Sequence, residues 1–361
     1  MKKDVIKYLE KKEFNITELN LSNYKLKEIP DLSKFINLEI LNLSNNEITD
    51  LTNIPTTIHT LIVSNNRIKE IKNIPLNIKV LYVDKNLLTE LNISNTNIEK
   101  LYCNKNIITS INCSMNLKLL MCQHNKIKKL DNLSNTIIEC NCAYNKIKYL
   151  YSLPESLLYF NCSHNQIFIF DKIPQNIISL DISNNKIIEI GKLPLSLIEL
   201  YCSYNKLKSI SLSENILFFD GCSNNLESIN MNEKLEQLMI CDNNLNKLEE
   251  LPDSLIYLNC SYNQIKNIIV PLNLRELYCD YCKTLEKIEF NNKLIALYCD
   301  YSRIDNLDNL PNTIEELSCR FTKIKKLNNI LYTLSYLNIE GTNFSDSDIK
   351  YFDLNIPEFI Y

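Results

Sequence analysis

The 361 residues include only three glycines and three histidines, and tryptophan is absent altogether. With Gly191, Gly221 and Gly341 alone, the chain has no glycine loop to cradle a phosphate or dinucleotide, and no GxSxG nucleophile elbow. No window approaches the roughly 18 apolar residues that a membrane-spanning helix needs. The opening MKKDVIKYLEKKEF also lacks the apolar core of a signal peptide. The expected location is therefore cytoplasmic or otherwise intracellular, with no membrane attachment. A net charge of −4 argues against binding nucleic acid through its phosphates. At 45% hydrophobic and 23% charged, the chain is not a wholly disordered one.

What the sequence does have is a period. The pattern (I/L)xxLx(L/C)xxNx(I/L)xx(L/I) recurs with its Asn column at Tyr24, Asn46, Asn66, Asn86, Asn106, Asn125, Asn145, Asn165, Asn185, Asn205, Asn224, Asn243, Asn263, Cys282, Ser302, Thr322 and Thr342. These are 17 units, spaced by 19 or 20 residues after a first step of 22. Taking that column as position 0, the LxL triplet alternates inward and outward and so reads as a short strand. Successive units should stack their strands in parallel, about 4.8 Å apart. An Asn column belongs at a turn, where its amide can satisfy backbone groups. Proline stands at −11 in eight units (Pro55, Pro75, Pro154, Pro174, Pro194, Pro252, Pro271 and Pro311), which suits an extended, helix-poor return.

LPESLLYFNCSHNQI resembles the leucine-rich repeat family, and its 20-residue form is similar to the short-repeat bacterial type III effectors. The earlier unit NLEILNLSNNEITDL is similar to 22-residue repeats of the intracellular phosphatase-regulator and internalin type. The resemblance implies a curved right-handed repeat solenoid that recognises proteins. It would have one short parallel strand per repeat and a largely helix-poor convex side. If the chain is an effector, its location would be a host cell's cytoplasm. The expected organisation is an N-terminal helical cap over 1–15, a solenoid of about 17 repeats over 16–344, and a C-terminal cap over 345–361. Val5, Ile6, Leu9 and Phe14 are the residues available to cover the first repeat, and SDSDIKYF reads as a capped turn or helix.

The candidate chemistry is thin. His124 and His164 fall just before the Asn column two repeats apart, about 10 Å from each other. One metal ion holds its ligands at about 2 Å, so they are expected to be solvent-facing residues on one flank. Cys103, Cys122, Cys142, Cys162, Cys202, Cys260, Cys279, Cys299 and Cys319 occupy an inward strand position, where cysteine acts as a small hydrophobe. Cys279 and Cys282 form a CxxC, but no second pair completes a zinc site. Asp280 and Asp300, about 5 Å apart on adjacent strands, match the spacing of a retaining glycosidase pair, yet any stacked pair would. No cofactor, metal or catalytic residue is expected. Cys222 and Cys241 differ from the other cysteines, because both should turn outward and stack on the exposed face.

Function is expected on the outward positions of the strand face. At −4, Tyr82, Tyr102 and Met121 form one stretch, and Tyr278 and Tyr298 another. The second is enlarged by Tyr257, Tyr262, Tyr281, Tyr301 and Phe321 at nearby outward positions, bordered by Glu276, Asp280, Asp300, Glu316 and Glu340, with Arg320 at its far edge. Tyr257, Tyr278, Asp280, Tyr281, Tyr298, Asp300, Tyr301, Arg320 and Phe321 are thus the predicted partner-binding residues. Clustered exposed aromatics are enriched among interface anchors. Lys126, Lys146, Lys186, Lys206, Lys283 and Lys323, just after the Asn column, read as a solvated edge. The expected function is a monomeric, non-enzymatic protein-interaction scaffold. The alternative is a regulatory or targeting subunit of an intracellular enzyme such as a phosphatase or ubiquitin ligase.

Overall fold

The computed structural model describes residues 3–72, 74–130, 132–327 and 333–361. The chain is a parallel-strand solenoid of about 17 turns with very few helices. It divides into two compact units, residues 1–185 and 186–361.

In the first unit, strands from Glu18–Asn20 to Ser179–Asp181 pair in parallel, and each pairs at identical repeat positions: Leu19 opposite Leu41, Leu61 opposite Leu81, Phe160 opposite Leu180. Each strand covers positions −6 to −4 with only the middle side chain buried, as the alternation requires. In the second unit, strands from Glu199–Tyr201 onward pair in the same way. That row ends on a strand the period does not announce, Glu358–Ile360, which pairs in parallel with Tyr336–Asn338. Short secondary strands also pair beyond the turns, for example Leu91–Asn92 with Ile111–Asn112 and Asn267–Ile269 with Lys287–Glu289.

The Asn column holds neighbouring repeats together. Asn46 Nδ2 donates to the carbonyls of Leu43, in its own repeat, and Leu21, in the one before, while its Oδ1 accepts the Leu26 N–H. The pattern repeats to Asn263, which donates to Cys260 and Ile240 and accepts from Leu245. In the last four units a thiol or hydroxyl replaces the amide. Cys282 Sγ donates to the Cys260 carbonyl at 3.3 Å, Ser302 Oγ to Cys299 at 2.8 Å and Thr322 Oγ1 to Cys319 at 2.6 Å. The proline column has a more specific role than an extended return. The carbonyl of each of the eight prolines accepts the N–H three residues on, as in Ile58 to Pro55, so each proline opens a tight turn.

At the N-terminus, helix Lys3–Glu10 buries Val5 and Leu9, but Ile6 and Phe14 are exposed, at 39% and 65%, and do not join the covering surface expected of them. The helix closes before Phe14 is reached. At the other end, helix Asp346–Asn355 starts at Ser345, whose hydroxyl accepts the Asp348 N–H, and it buries Phe352 completely.

Candidate functional site: two aromatic ladders

Position −1 is left-handed in all 17 units, with φ between 51° and 68°, although sixteen of these residues are not glycine. Such a backbone costs an ordinary residue about 1–2 kcal/mol. Part of the compensation is visible: the N–H at −1 donates to the −2 carbonyl of the next repeat, as from Tyr262 to Asp280 and from Tyr281 to Asp300. The side chains at −1 then stack along the solenoid. Tyr262, Tyr281, Tyr301 and Phe321 form a continuous pile, with ring centroids 4.5, 4.4 and 4.7 Å apart and planes within 20°. The pile ends at Gly341, where a Cβ would lie 2.5 Å from the Phe321 ring. Arg320 covers Phe321 at 5.8 Å.

A second pile lies on the strand face. Tyr278 and Tyr298 stack at 4.8 Å and 7°, with Tyr257 tilted against one side at 5.4 Å and Tyr336 on the other at 6.3 Å. The Tyr298 hydroxyl donates to Glu316 Oε2 at 2.6 Å, and the Tyr278 hydroxyl reaches Glu276 at 3.4 Å. Burial and the Glu276 charge push the Tyr278 hydroxyl up to about 12, and burial with the Glu316 hydrogen bond raises Tyr298 further. Both therefore stay protonated donors in neutral solution.

Between the two piles runs the −2 column of Asp280, Asp300 and Arg320, whose chemistry follows a rule. Where −4 is Asn or Asp, its side chain accepts the N–H of −2 in its own repeat, as in Asn42 to Ser44, Asp181 to Ser183 and Asn259 to Ser261. Tyr278, Tyr298 and Ser318 at −4 do not do this, and the acceptor there comes from −2 of the preceding repeat. Ser261 Oγ takes the Asp280 N–H, Asp280 Oδ1 the Asp300 N–H, and Asp300 Oδ1 the Arg320 N–H. Asp300 Oδ1 also accepts from Ser318 Oγ. In the first unit, Asp84 serves Asn104 and Asn104 serves Gln123, beside the stacked Tyr82 and Tyr102. Ser261 and Asp280 are thus the backbone acceptors that free −4 for Tyr278 and Tyr298, while Asp300 serves the repeat that carries Ser318 there. Burial, with Asp300 nearby, pushes the Asp280 carboxyl up to about 6 despite its hydrogen bond, and burial raises Asp300 as well. Arg320 pairs with Glu340 at 2.6 Å and approaches Asp300 at 3.9 Å.

The nine predicted partner-binding residues therefore fall into two ring stacks and a polar row that joins them. Ser261, Glu316, Ser318 and Tyr336, which complete this arrangement, were not among them. The −4/−2 exchange was the signal that would have found the two serines.

The other groups singled out in the sequence have specific partners. His124 is exposed and His164 half-buried, and both stack on Tyr144, at 4.3 and 3.9 Å. The thiols of Cys279 and Cys282 donate to different carbonyls, Tyr298 and Cys260. Cys222 is buried at 7% exposure, contrary to the outward placement expected of it, while Cys241 is half-buried.

A family model described as leucine-rich repeats in two copies matches residues 15–56. No curated protein matches the sequence. Among solved structures, YopM from Yersinia enterocolitica is 26% identical, with a TM-score of 0.79, covering 91% of this chain and 79% of that one. A leucine-rich-repeat protein from Leptospira interrogans is 20% identical, with a TM-score of 0.66, over 100% of this chain and 99% of its own. The functional domain of InlJ from Listeria monocytogenes, described as including a cysteine ladder, is 21% identical, with a TM-score of 0.58, covering 91% and 69%. The chain has the fold of a leucine-rich-repeat stack, and its first repeats match the leucine-rich-repeat family model. Its short repeats are similar to those of the Yersinia effector. Domains of this fold generally bind protein partners and generally do so without catalysis. Among the described residues, no helix is long and apolar enough to cross a membrane.

Proposed function

We propose that the chain is a non-enzymatic protein-interaction scaffold that docks a protein on the paired aromatic ladders of residues 257–336. The observation that carries this reading is the pair of ring stacks, Tyr278–Tyr298 and Tyr262–Tyr281–Tyr301–Phe321. Stacking holds each ring in one orientation, so little side-chain freedom is lost on binding. Because neighbouring rings cover one another's faces, the surface offers ring edges and hydroxyls. A partner therefore meets apolar strips lined with hydrogen-bonding groups, the composition found at interface anchors. Glu276, Glu316 and Glu340 border the strips, and residues 186–361 carry 25 acidic against 17 basic side chains. The fitting partner presents basic and apolar groups together. A catalytic reading of Asp280 and Asp300 has less support, because each spends Oδ1 on a backbone N–H.

The test is Tyr278→Ala combined with Tyr298→Ala, read by thermal melting and by quantitative recovery of copurifying proteins. Loss of an anchor worth about 2 kcal/mol weakens binding roughly 30-fold. Unchanged melting with lost partners supports the proposal, and stoichiometric recovery of a single enzyme with the unsubstituted chain would make it that enzyme's regulatory subunit. Full recovery by the double variant moves the surface to Tyr82, Tyr102 and Met121.

A further inference from the structure

Cys222 and Cys241 stand apart from the other twelve cysteines. Both occupy −2, in adjacent repeats whose strands pair in parallel with Asp220 opposite Met239. Two residues further on, the cysteines face each other across neighbouring chains. Methionine at −4 leaves Cys241 without an acceptor in its own repeat, and Cys222 Sγ takes the Cys241 N–H at 3.1 Å. Adjacent parallel chains lie about 4.8 Å apart, inside the roughly 4.4–6.8 Å Cα separation that disulfides span. The two thiols also differ in access: Cys222 is 7% exposed, whereas Cys241 is only half-buried.

We propose that this pair is an oxidative modification site for hydroperoxides, in which Cys241 reacts first and Cys222 closes a disulfide. Cys241 thiolate attacks one oxygen of hydrogen peroxide. The O–O bond breaks, Cys241 becomes a sulfenic acid, and the departing hydroxide takes up a proton to leave as water. Cys222 sulfur then attacks the Cys241 sulfur, the S–O bond breaks, and a second water leaves. Two thiols are oxidised, one peroxide is reduced, and the protein loses two hydrogens.

The division of labour matches the environment. A hydrogen bond from the Cys222 thiol lowers the Cys241 pKa against the opposing effects of burial and the Asp220 and Asp242 charges, while Cys222 itself is raised. Thiolate character and access together set reactivity. No other cysteine combines them. Those at −3 are fully buried. Cys113 reaches the surface, but burial pushes its thiol up to about 12. Cys282 is lowered by Cys260 yet has no exposure.

The test treats the reduced full chain with stoichiometric hydrogen peroxide and maps the products by mass spectrometry. The expected result is a loss of two hydrogens and a Cys222–Cys241 linked peptide. In Cys222→Ser, whose hydroxyl can still accept the Cys241 N–H, the reaction should stop at a sulfenic acid that dimedone traps on Cys241. Cys241→Ser should react at least 10-fold more slowly, with melting close to that of the unsubstituted chain. Oxidation appearing first at any other cysteine, or Cys241 advancing to sulfinic acid with Cys222 free, overturns the proposal. None of these readouts involves a partner, so the outcome is independent of the binding surface proposed above.

Discussion

Asp280 has two tasks that pull against each other. Its Oδ1 must accept the Asp300 N–H, and its charge must sit half-buried beside a second carboxylate. Its folded-state pKa of about 6 lies above the unfolded reference of 3.8. The folded chain therefore binds the extra proton between those values, and stability falls as pH rises through that window. Asp280→Asn keeps an oxygen acceptor and removes the charge. It should melt higher than the unsubstituted chain at pH 7.5, and the gap should narrow as pH falls below about 6 and close near 3.8, where Asp280 is protonated in the unfolded chain too. A variant melting equally or lower at pH 7.5 would show that the charge is not a burden. Asp280→Ala also removes the acceptor, and leaving a buried N–H unpaired costs about 1–3 kcal/mol, so it should melt lower than Asp280→Asn at every pH.

At the scale of the element, the strand register was legible to the residue because a 20-residue period carries the alternation with it. The central strand residue is buried in the strands of both units, as the LxL triplet requires. What the period concealed was the left-handed −1 column, since glycine, the usual marker of positive φ, occupies it only at Gly341. The closing strand Glu358–Ile360 was equally hidden, because it follows a helix and lies outside the repeat. The −2 acceptors were missed for a different reason: their role depends on which residue stands at −4, a dependence between columns that single-column reading does not examine. A similar dependence acts in the core. Gly221 takes an inward slot held elsewhere by Cys, Leu, Val or Ile because the Phe219 ring fills it, and a Cβ there would lie 2.6 Å from that ring. Gly221→Ala should overpack the repeat by about 1–3 kcal/mol. Phe219→Leu alone should leave a void, and the double variant should recover most of both losses. Additive losses in a denaturation cycle would mean that ring and glycine do not share one space.

Across the whole molecule, the two units differ in charge, and the turns are fastened differently before and after Asn263. Residues 1–185 carry 22 basic and 18 acidic side chains, the reverse of the balance in residues 186–361. Turns from Asn46 to Asn263 are held by an amide that bonds its own repeat and the previous one. A hydroxyl has one donor proton, so Ser302 and Thr322 reach the carbonyl of their own repeat alone. In a solenoid, stability is a sum of repeat terms and nearest-neighbour terms, and a lost inter-repeat bond weakens only the local neighbour term. The aromatic ladders lie across this less firmly fastened stretch, consistent with binding regions being drawn from the low end of local stability. Amide hydrogen exchange should therefore be faster in the turns centred on Ser302 and Thr322 than in those centred on Asn145 or Asn165. Ser302→Asn supplies the missing second donor and should slow exchange in its own turn and the preceding one, with little change in the first unit. Equal protection of all turns before substitution would mean that ring stacking, not the amide column, fastens the C-terminal repeats, and Tyr281→Ala with Tyr301→Ala would then be the pair that loosens them.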